Sequence, residues 1–350
     1  MKPAPKVVAT GPWDQPGWDD GLRAAGCHVV LGPSIDERPQ LRLDDDELRA
    51  LCGGAEAILV STRESISGAI LDAAPDLKLL VKATIGVERV DIAGATERSV
   101  LVVNSPAPEN FVGLAEATVG LIVAMAKSLL EKEQRVRDGG WRDAGTDGVV
   151  LAGRTIGIIG LGRVGSRVAR RLLGWDVQLL SFDPYVPPTR FDEVGVRSVD
   201  LRTVLTTSDV LTVHVPLTSE TKGMISSEEL ALMRPGAFLV NTSRGPVVDE
   251  RAVAASLLNG SLAGAALDVF EDEPLPADSP IREVPRDRLI LTPHSIGSSR
   301  ASRRVGTQMA VVAILRALDG CVPDHVLNPE ALDGWLARWG APLADLRRAE

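Results

Sequence analysis

The sequence predicts an α/β protein of two domains, each a doubly wound parallel sheet, with one domain inserted into the other. Three observations carry this. The chain has 350 residues, enough for two cores at roughly 100–200 residues per domain. Its short apolar runs are continuous rather than alternating, as expected of strands covered on both faces. Helical patterns separate those runs from one end to the other, the rhythm of an α/β fold.

In order, Lys6–Thr10, Ala57–Val60, Leu79–Lys82 and Leu101–Val103 read as strands of a first domain. Thr155–Ile159, Val177–Phe182, Val210–Val213, Phe238–Asn241, Gly264–Val269 and Leu289–Thr292 repeat the pattern in a second. Between the groups lies an apolar stretch, Gly113–Leu130, whose Leu114, Val119, Leu121, Ile122, Val123, Met125, Leu129 and Leu130 surround the helix axis. A one-faced surface helix shows a narrower stripe, so burial on more than one side is expected, between domains or against a second subunit. Glu116 and Lys127 leave it short of the ~20 clean apolar residues of a membrane span. Two seams are expected: the Pro-rich Asn104–Asn110, and the Gly/Ser run Ser295–Ser299 ahead of a helix over Ala301–Leu318. Residues 1–105 and 296–350 would then form one discontinuous domain, and 106–295 the inserted one.

Composition narrows the function. Lys+Arg 38 against Asp+Glu 47 gives a formal net charge of −9, and no basic block interrupts it, which argues against nucleic acid as a partner. Cys27, Cys52 and Cys321 are far apart and lack the CxxC spacing of a metal site. They are expected to be reduced thiols of a cytoplasmic protein. The N-terminus lacks a signal-peptide apolar core, and neither a membrane partner nor a metal is expected.

The strand Thr155–Ile159 runs into Gly160-x-Gly162-x-x-Gly165 and then a helix over Ser166–Leu173. Gly160 would permit the tight turn, Gly162 the approach of a pyrophosphate, and Gly165 close helix–strand packing. Backbone N–H groups near Arg163 and Val164 would bind the diphosphate. Asp183 ends the next strand, 18 residues past Gly165, near the ~20 expected of a carboxylate for ribose hydroxyls. That carboxylate repels a 2′-phosphate, so NAD is preferred to NADP, with Arg190 the one residue favouring the latter. The inserted domain is therefore Rossmann-like, a cofactor domain set into a Rossmann-like substrate domain.

Three polar residues follow later strands: Arg244 in LVNTSRGPVVDE, Glu273 in GAALDVFEDEP and His294 in LILTPHSIGSS. Each alone has an ordinary reading, as a turn cation, a surface acid or a strand-end cap. Together, past a dinucleotide loop, they suit reduction of a 2-keto acid. Arg offers two parallel hydrogen bonds to a carboxylate. His, with an unperturbed pKa near 6.5, offers a proton. A neighbouring carboxylate orients the imidazole. Glu271 and Asp272 compete with Glu273 for that role.

These segments, with IGVERVDI at Ile85–Ile92, VNSPAPENFVGLAE at Val103–Glu116 and HVPLTSET at His214–Thr221, resemble the D-isomer-specific 2-hydroxyacid dehydrogenase family over about Ala57–Asn328. The resemblance implies an NAD-dependent enzyme, a homodimer, with Arg244, Glu273 and His294 catalytic. The family's carboxylate directly precedes a proline, here Pro274, which selects Glu273. Asp268, Thr242, Ser243, Val215 and Gly297 are implied as further cofactor contacts. The main chain of Ile85, Gly86 and Val87 is implied to bind the substrate carboxylate. Ser61 and Lys82 stand where phosphoglycerate enzymes of the family often place two phosphate-binding arginines, so half of that clamp is missing. Arg63 and Lys82 remain either a site for a second anionic group or solvated loop cations. A phosphite- or phosphonate-directed dehydrogenase is one alternative on this scaffold, and an NAD(H)-sensing corepressor-type binding protein is another. His214 reads as structural, and His28 and His325 as surface residues.

Overall fold

The computed structural model describes residues 3–11, 13, 15–33, 42–142 and 147–341. It divides into two compact units, Met1–Glu109 with Ser299–Glu350, and Asn110–Ser298.

The first unit holds five parallel strands, β1 (Lys6–Ala9), β2 (His28–Leu31), β3 (Ala57–Val60), β4 (Leu79–Lys82) and β5 (Leu101–Val103), in the order β2-β1-β3-β4-β5. Alternate residues explain the continuous apolar runs. Val7, Ala9, Leu59, Val81 and Val103 face a core with Ala310, Ala313, Ile314 and Trp335, while Val8, Ile58, Val60, Leu80 and Val102 face another with Leu48, Ile70 and Leu71. Both faces of each strand are thus covered. The edge strand β2 was not foreseen: it is short, and both its ends, His28 and Leu31, are exposed.

The second unit holds seven parallel strands, β6 (Thr155–Ile159), β7 (Gln178–Phe182), β8 (Arg197–Ser198), β9 (Val210–Val213), β10 (Ala237–Asn241), β11 (Leu262–Leu267) and β12 (Leu289–Leu291), in the order β12-β11-β10-β9-β6-β7-β8. The order reverses between β6 and β9, which places the glycine loop at a topological switch point, where open α/β sheets bind ligands. The expected strand over Gly264–Val269 ends two residues early, so Asp268 lies in the turn beyond β11.

The apolar helix departs from expectation. It runs Pro108–Ala126, and a second helix, Leu129–Arg137, begins after Ser128, whose φ of 48° breaks the first. Within its unit the first helix buries Phe111, Ala115, Thr118, Leu121, Ile122, Met125 and Ala126, but leaves Val112 and Gly120 exposed. Leu129 and Leu130 lie beyond the break, on the polar second helix, and are exposed in the single chain. By length and composition alone Pro108–Ala126 could cross a membrane, contrary to the sequence expectation. The helix starts earlier than foreseen and excludes Lys127; its buried side instead packs against Ile156, Ile158 and Val168 as a core element.

Candidate active site

At the carboxyl end of β6 the glycines divide their work. Gly160 has φ of 90°, and a Cβ there would lie 2.7 Å from the His214 carbonyl oxygen. A Cβ at Gly165 would lie 2.0 Å from the Gly160 carbonyl oxygen, so only glycine lets the helix Gly165–Leu172 close onto the loop. A Cβ at Gly162 would meet nothing within 4 Å. That open face is where a diphosphate would approach. Asp183, beyond β7, accepts the Leu161 amide at 2.7 Å on one oxygen and the Tyr185 amide at 2.9 Å on the other, which pins its carboxylate beside the loop. The residues present therefore fit a dinucleotide.

His214, beyond β9, bonds Thr212 Oγ1 through Nε2 at 2.9 Å. Its Nδ1 is buried and has no partner among the described residues. Burial lowers its pKa to about 3, so it is neutral. Beyond β10, Asn241 organises the next segment: its Oδ1 accepts the Ser243 amide at 3.0 Å and the Ser243 hydroxyl at 2.7 Å, and its Nδ2 donates to the Arg244 carbonyl at 3.0 Å. Thr242 and Ser243 are buried, and Thr242 Oγ1 lies 3.1 Å from Thr118 Oγ1. Arg244 is half-buried, with Nη1 donating to the Ser243 carbonyl at 2.7 Å.

Beyond β11 and β12 two turns meet. His294 Nδ1 lies 2.8 Å and 3.0 Å from the two oxygens of Glu273. Glu273 Oε1 also accepts the Phe270 amide at 3.2 Å, which fixes the carboxylate. Of the three competing acids, Glu271 and Asp272 are exposed and Glu273 alone is shown bonded to the imidazole. A carboxylate on Nδ1 selects the tautomer that carries its hydrogen there, leaving Nε2 for exchange with a substrate. His294 itself has a positive φ of 49°, strained for a residue with a Cβ.

Asp268 holds that strain, and sequence reasoning missed this. Its carbonyl accepts the His294 amide at 2.7 Å, and its buried carboxylate accepts the Thr292 hydroxyl at 2.7 Å and the Ser295 and Ile296 amides at 3.1 Å and 3.3 Å. Gly297 follows in the same turn, packed against Leu114. Among the described residues no group of acids, histidines and cysteines gathers as a metal site.

In the first unit, Ile85, Gly86 and Val87 form a half-buried loop beyond β4, tied by Asn104 Nδ2 donating to the Ile85 carbonyl at 2.8 Å. Lys82 is not the solvated cation of one sequence reading: it is 3% exposed and donates to the Ser61 carbonyl at 2.8 Å. Burial lowers its pKa to about 8. Arg63 is half-buried nearby in sequence, and Glu64, fully buried, accepts the Leu43 amide at 3.0 Å. His28 and His325 are exposed.

Residues 119–296 match the family described as D-isomer specific 2-hydroxyacid dehydrogenase, NAD binding domain. Glyoxylate reductase of Thermofilum pendens is 36% identical over 94% of this chain and 96% of its own length. D-3-phosphoglycerate dehydrogenase of Mycobacterium tuberculosis is 36% identical over 85% of this chain, which spans 56% of that enzyme's length. Among solved structures, the TT0316 protein of Thermus thermophilus superposes with a TM-score of 0.83 at 30% identity, covering 92% of this chain and 99% of that one. D-lactate dehydrogenase of Aquifex aeolicus, complexed with NAD and lactic acid, superposes with a TM-score of 0.78 at 28% identity, over 94% and 98% of the two chains. The chain is a member of the D-isomer-specific 2-hydroxyacid dehydrogenase family. Its cofactor is NAD.

Proposed function

We propose that the chain is an NAD-dependent oxidoreductase that interconverts a small 2-keto acid and its D-2-hydroxy acid. The observation that carries this reading is the His294–Glu273 pair at 2.8 Å, on the same unit as the glycine loop. NAD, when bound along Gly160, Gly162, Arg163, Val164 and Gly165 with its ribose on Asp183, supplies hydride acceptor and donor chemistry. Thr242, Ser243, Val215, Asp268 and Gly297 complete its surroundings.

In the reducing direction the His294 imidazolium releases its Nε2 proton to the substrate oxygen. Glu273 stabilises the cation and fixes the ring plane. Arg244 binds the carboxylate and keto oxygen through its guanidinium. The main chain of Ile85, Gly86 and Val87 holds the same carboxylate. Residues 1–105 with 296–350 serve as the substrate domain and residues 106–295 as the cofactor domain.

We place the protein in the cytoplasm, as a homodimer without nucleic-acid or membrane partners. Support for the dimer comes from Leu129, Leu130, Val136 and Trp141, which are 47–75% exposed on or just after the helix Leu129–Arg137. Free thiols at Cys27, Cys52 and Cys321 fit a reducing compartment. Sedimentation showing a monomer at micromolar concentration would remove the dimer.

The decisive experiment follows NADH oxidation against glyoxylate, hydroxypyruvate, pyruvate, branched and aromatic 2-keto acids and phosphonopyruvate. Turnover is expected, and His294→Ala is expected to lose about 10²–10⁴-fold. Unchanged turnover in that variant would sink the assignment.

A further inference from the structure

Residues 15–18 and the first turns of the helix Arg300–Leu318 border an open cleft of about 550 Å³ within the first unit. That is the size of a metabolite pocket. Gln15, Trp18, Arg300, Arg303, Arg304 and Thr307 line it, and Gln15 Nε2 bonds Thr307 Oγ1 at 3.4 Å across the join.

The charge there is unbalanced. Among the described residues no carboxylate lines the cleft, and none of the three arginines has an ion-pair partner. Asp19, directly after residues 15–18, is held by Arg23 at 2.6 Å. Some helical arginines elsewhere sit three or four residues from an acid they contact, as Arg135 does with Glu131, Arg137 with Glu133 and Arg190 with Glu193, and in the like-charged run Arg167, Arg170 and Arg171 the last pairs with Glu116. Arg300, Arg303 and Arg304 set like charges at the same spacing on one helix without such an acid, an arrangement that destabilises the helix unless a counter-charge arrives. The helix amides are not the attraction, since Ser299 and Ser302 already cap them reciprocally.

Position adds a second argument. The strand order β2-β1-β3-β4-β5 reverses between β1 and β3, so the segment that follows β1 leaves the sheet at its switch point, where α/β sheets bind ligands. The same helix packs close by: a Cβ on Gly306 would lie 2.3 Å from the Ala83 carbonyl oxygen, just before the Ile85–Val87 loop.

We propose that this cleft is a binding site for a small dianionic group, a phosphate or a pair of carboxylates, with Arg303 and Arg304 as its principal ligands. The group belongs either to the far end of the substrate or to a separate small anion. The site stands independently of the oxidoreductase reading; only the assignment to substrate rests on it.

Calorimetric titration of the whole chain with inorganic phosphate at low ionic strength tests this. Binding is expected at one phosphate per chain, weakened by added salt, and at least about tenfold weaker in Arg303→Gln/Arg304→Gln. An Arg303→Lys/Arg304→Lys variant should retain part of it, and unchanged NADH binding in both shows that they are folded. A second arm compares turnover of 2-oxoglutarate with that of 2-oxopentanoate. A preference for the dicarboxylate that falls about tenfold in the Gln variant assigns the site to substrate. An unchanged preference with phosphate binding lost assigns it to a separate anion. Absence of phosphate binding to the wild type, or equal binding to the Gln variant, overturns the proposal. Phosphate binding without turnover of any keto acid would instead count against the oxidoreductase reading alone.

Discussion

Asp268 and His294 are joined through the main chain: the Asp268 carbonyl accepts the His294 amide at 2.7 Å, and the Asp268 carboxylate takes the hydroxyl and amides on either side of it. The imidazole therefore reaches Glu273 from a left-handed residue that Asp268 holds in place. Positive φ at a residue with a Cβ persists only where its surroundings over-determine it.

Asp268→Ala is accordingly expected to leave the Ser295 and Ile296 amides and the Thr292 hydroxyl without their acceptor. Stability should fall by about 2–4 kcal/mol, from loss of hydrogen bonds to a buried charged group. Urea denaturation measures this, and a change below about 0.5 kcal/mol would show that the turn holds itself.

Glu273→Gln keeps an acceptor beside His294 but removes the charge, whereas Glu273→Ala removes both. Turnover is expected to fall about tenfold in the first and about 10²-fold or more in the second, on the scale of general acid–base catalysis. Equal losses in the two would mean that the charge, and not orientation, is the whole contribution.

The glycine loop separates folding from binding. At Gly162 a Cβ meets no protein atom within 4 Å, so Gly162→Ala should leave the melting temperature nearly unchanged while weakening NADH binding at least about tenfold. At Gly165 a Cβ would sit 2.0 Å from the Gly160 carbonyl oxygen, so Gly165→Ala should lower both. Calorimetric melting beside NADH titration checks the pair; a Gly165→Ala protein as stable as wild type would refute the packing role.

Lys82 makes stability depend on pH. Its folded pKa is about 8 against an ordinary 10.5, chiefly through burial. Below pH 8 both states hold the proton and the folded state bears the burial penalty. Between about 8 and 10.5 the unfolded chain keeps a proton the folded chain has released. Stability attributable to Lys82 therefore rises with pH across that window, by at most about 1.4 kcal/mol per pH unit. Lys82→Met should flatten that part of the curve and raise stability at pH 7. Parallel curves for the two proteins would refute it.

His214 acts lower on the scale. Its folded pKa is about 3 against 6.5, so the unfolded chain takes up a proton that the folded chain refuses. Stability is lost as pH falls from 6.5 toward 3. A His214→Gln variant should show a shallower loss by urea denaturation between pH 7 and 5, and an equally steep loss would assign the acid sensitivity elsewhere.

Sequence alone determined the class of fold and the cofactor motif. A strand buried on both faces must be apolar at successive positions, as Ile158 and Ile159 are on opposite faces of the second sheet. Gly160, Gly162 and Gly165 likewise announce themselves because no other residue serves a positive φ, an open approach and a 2.0 Å clearance. Short strands with exposed ends, such as β2 and β8, escaped it because edge positions lose the apolar signal. So did the break at Ser128, which is a single residue's φ.

Tertiary structure alone decided that Asp268 holds its turn, that Lys82 is buried, and that Arg300, Arg303 and Arg304 share one cleft. Among Glu271, Asp272 and Glu273, the following Pro274 selects Glu273 by family resemblance, and the structure supplies the physical cause. What separates them is the direction each side chain takes when β11 and β12 lie side by side, and that pairing joins residues more than twenty positions apart.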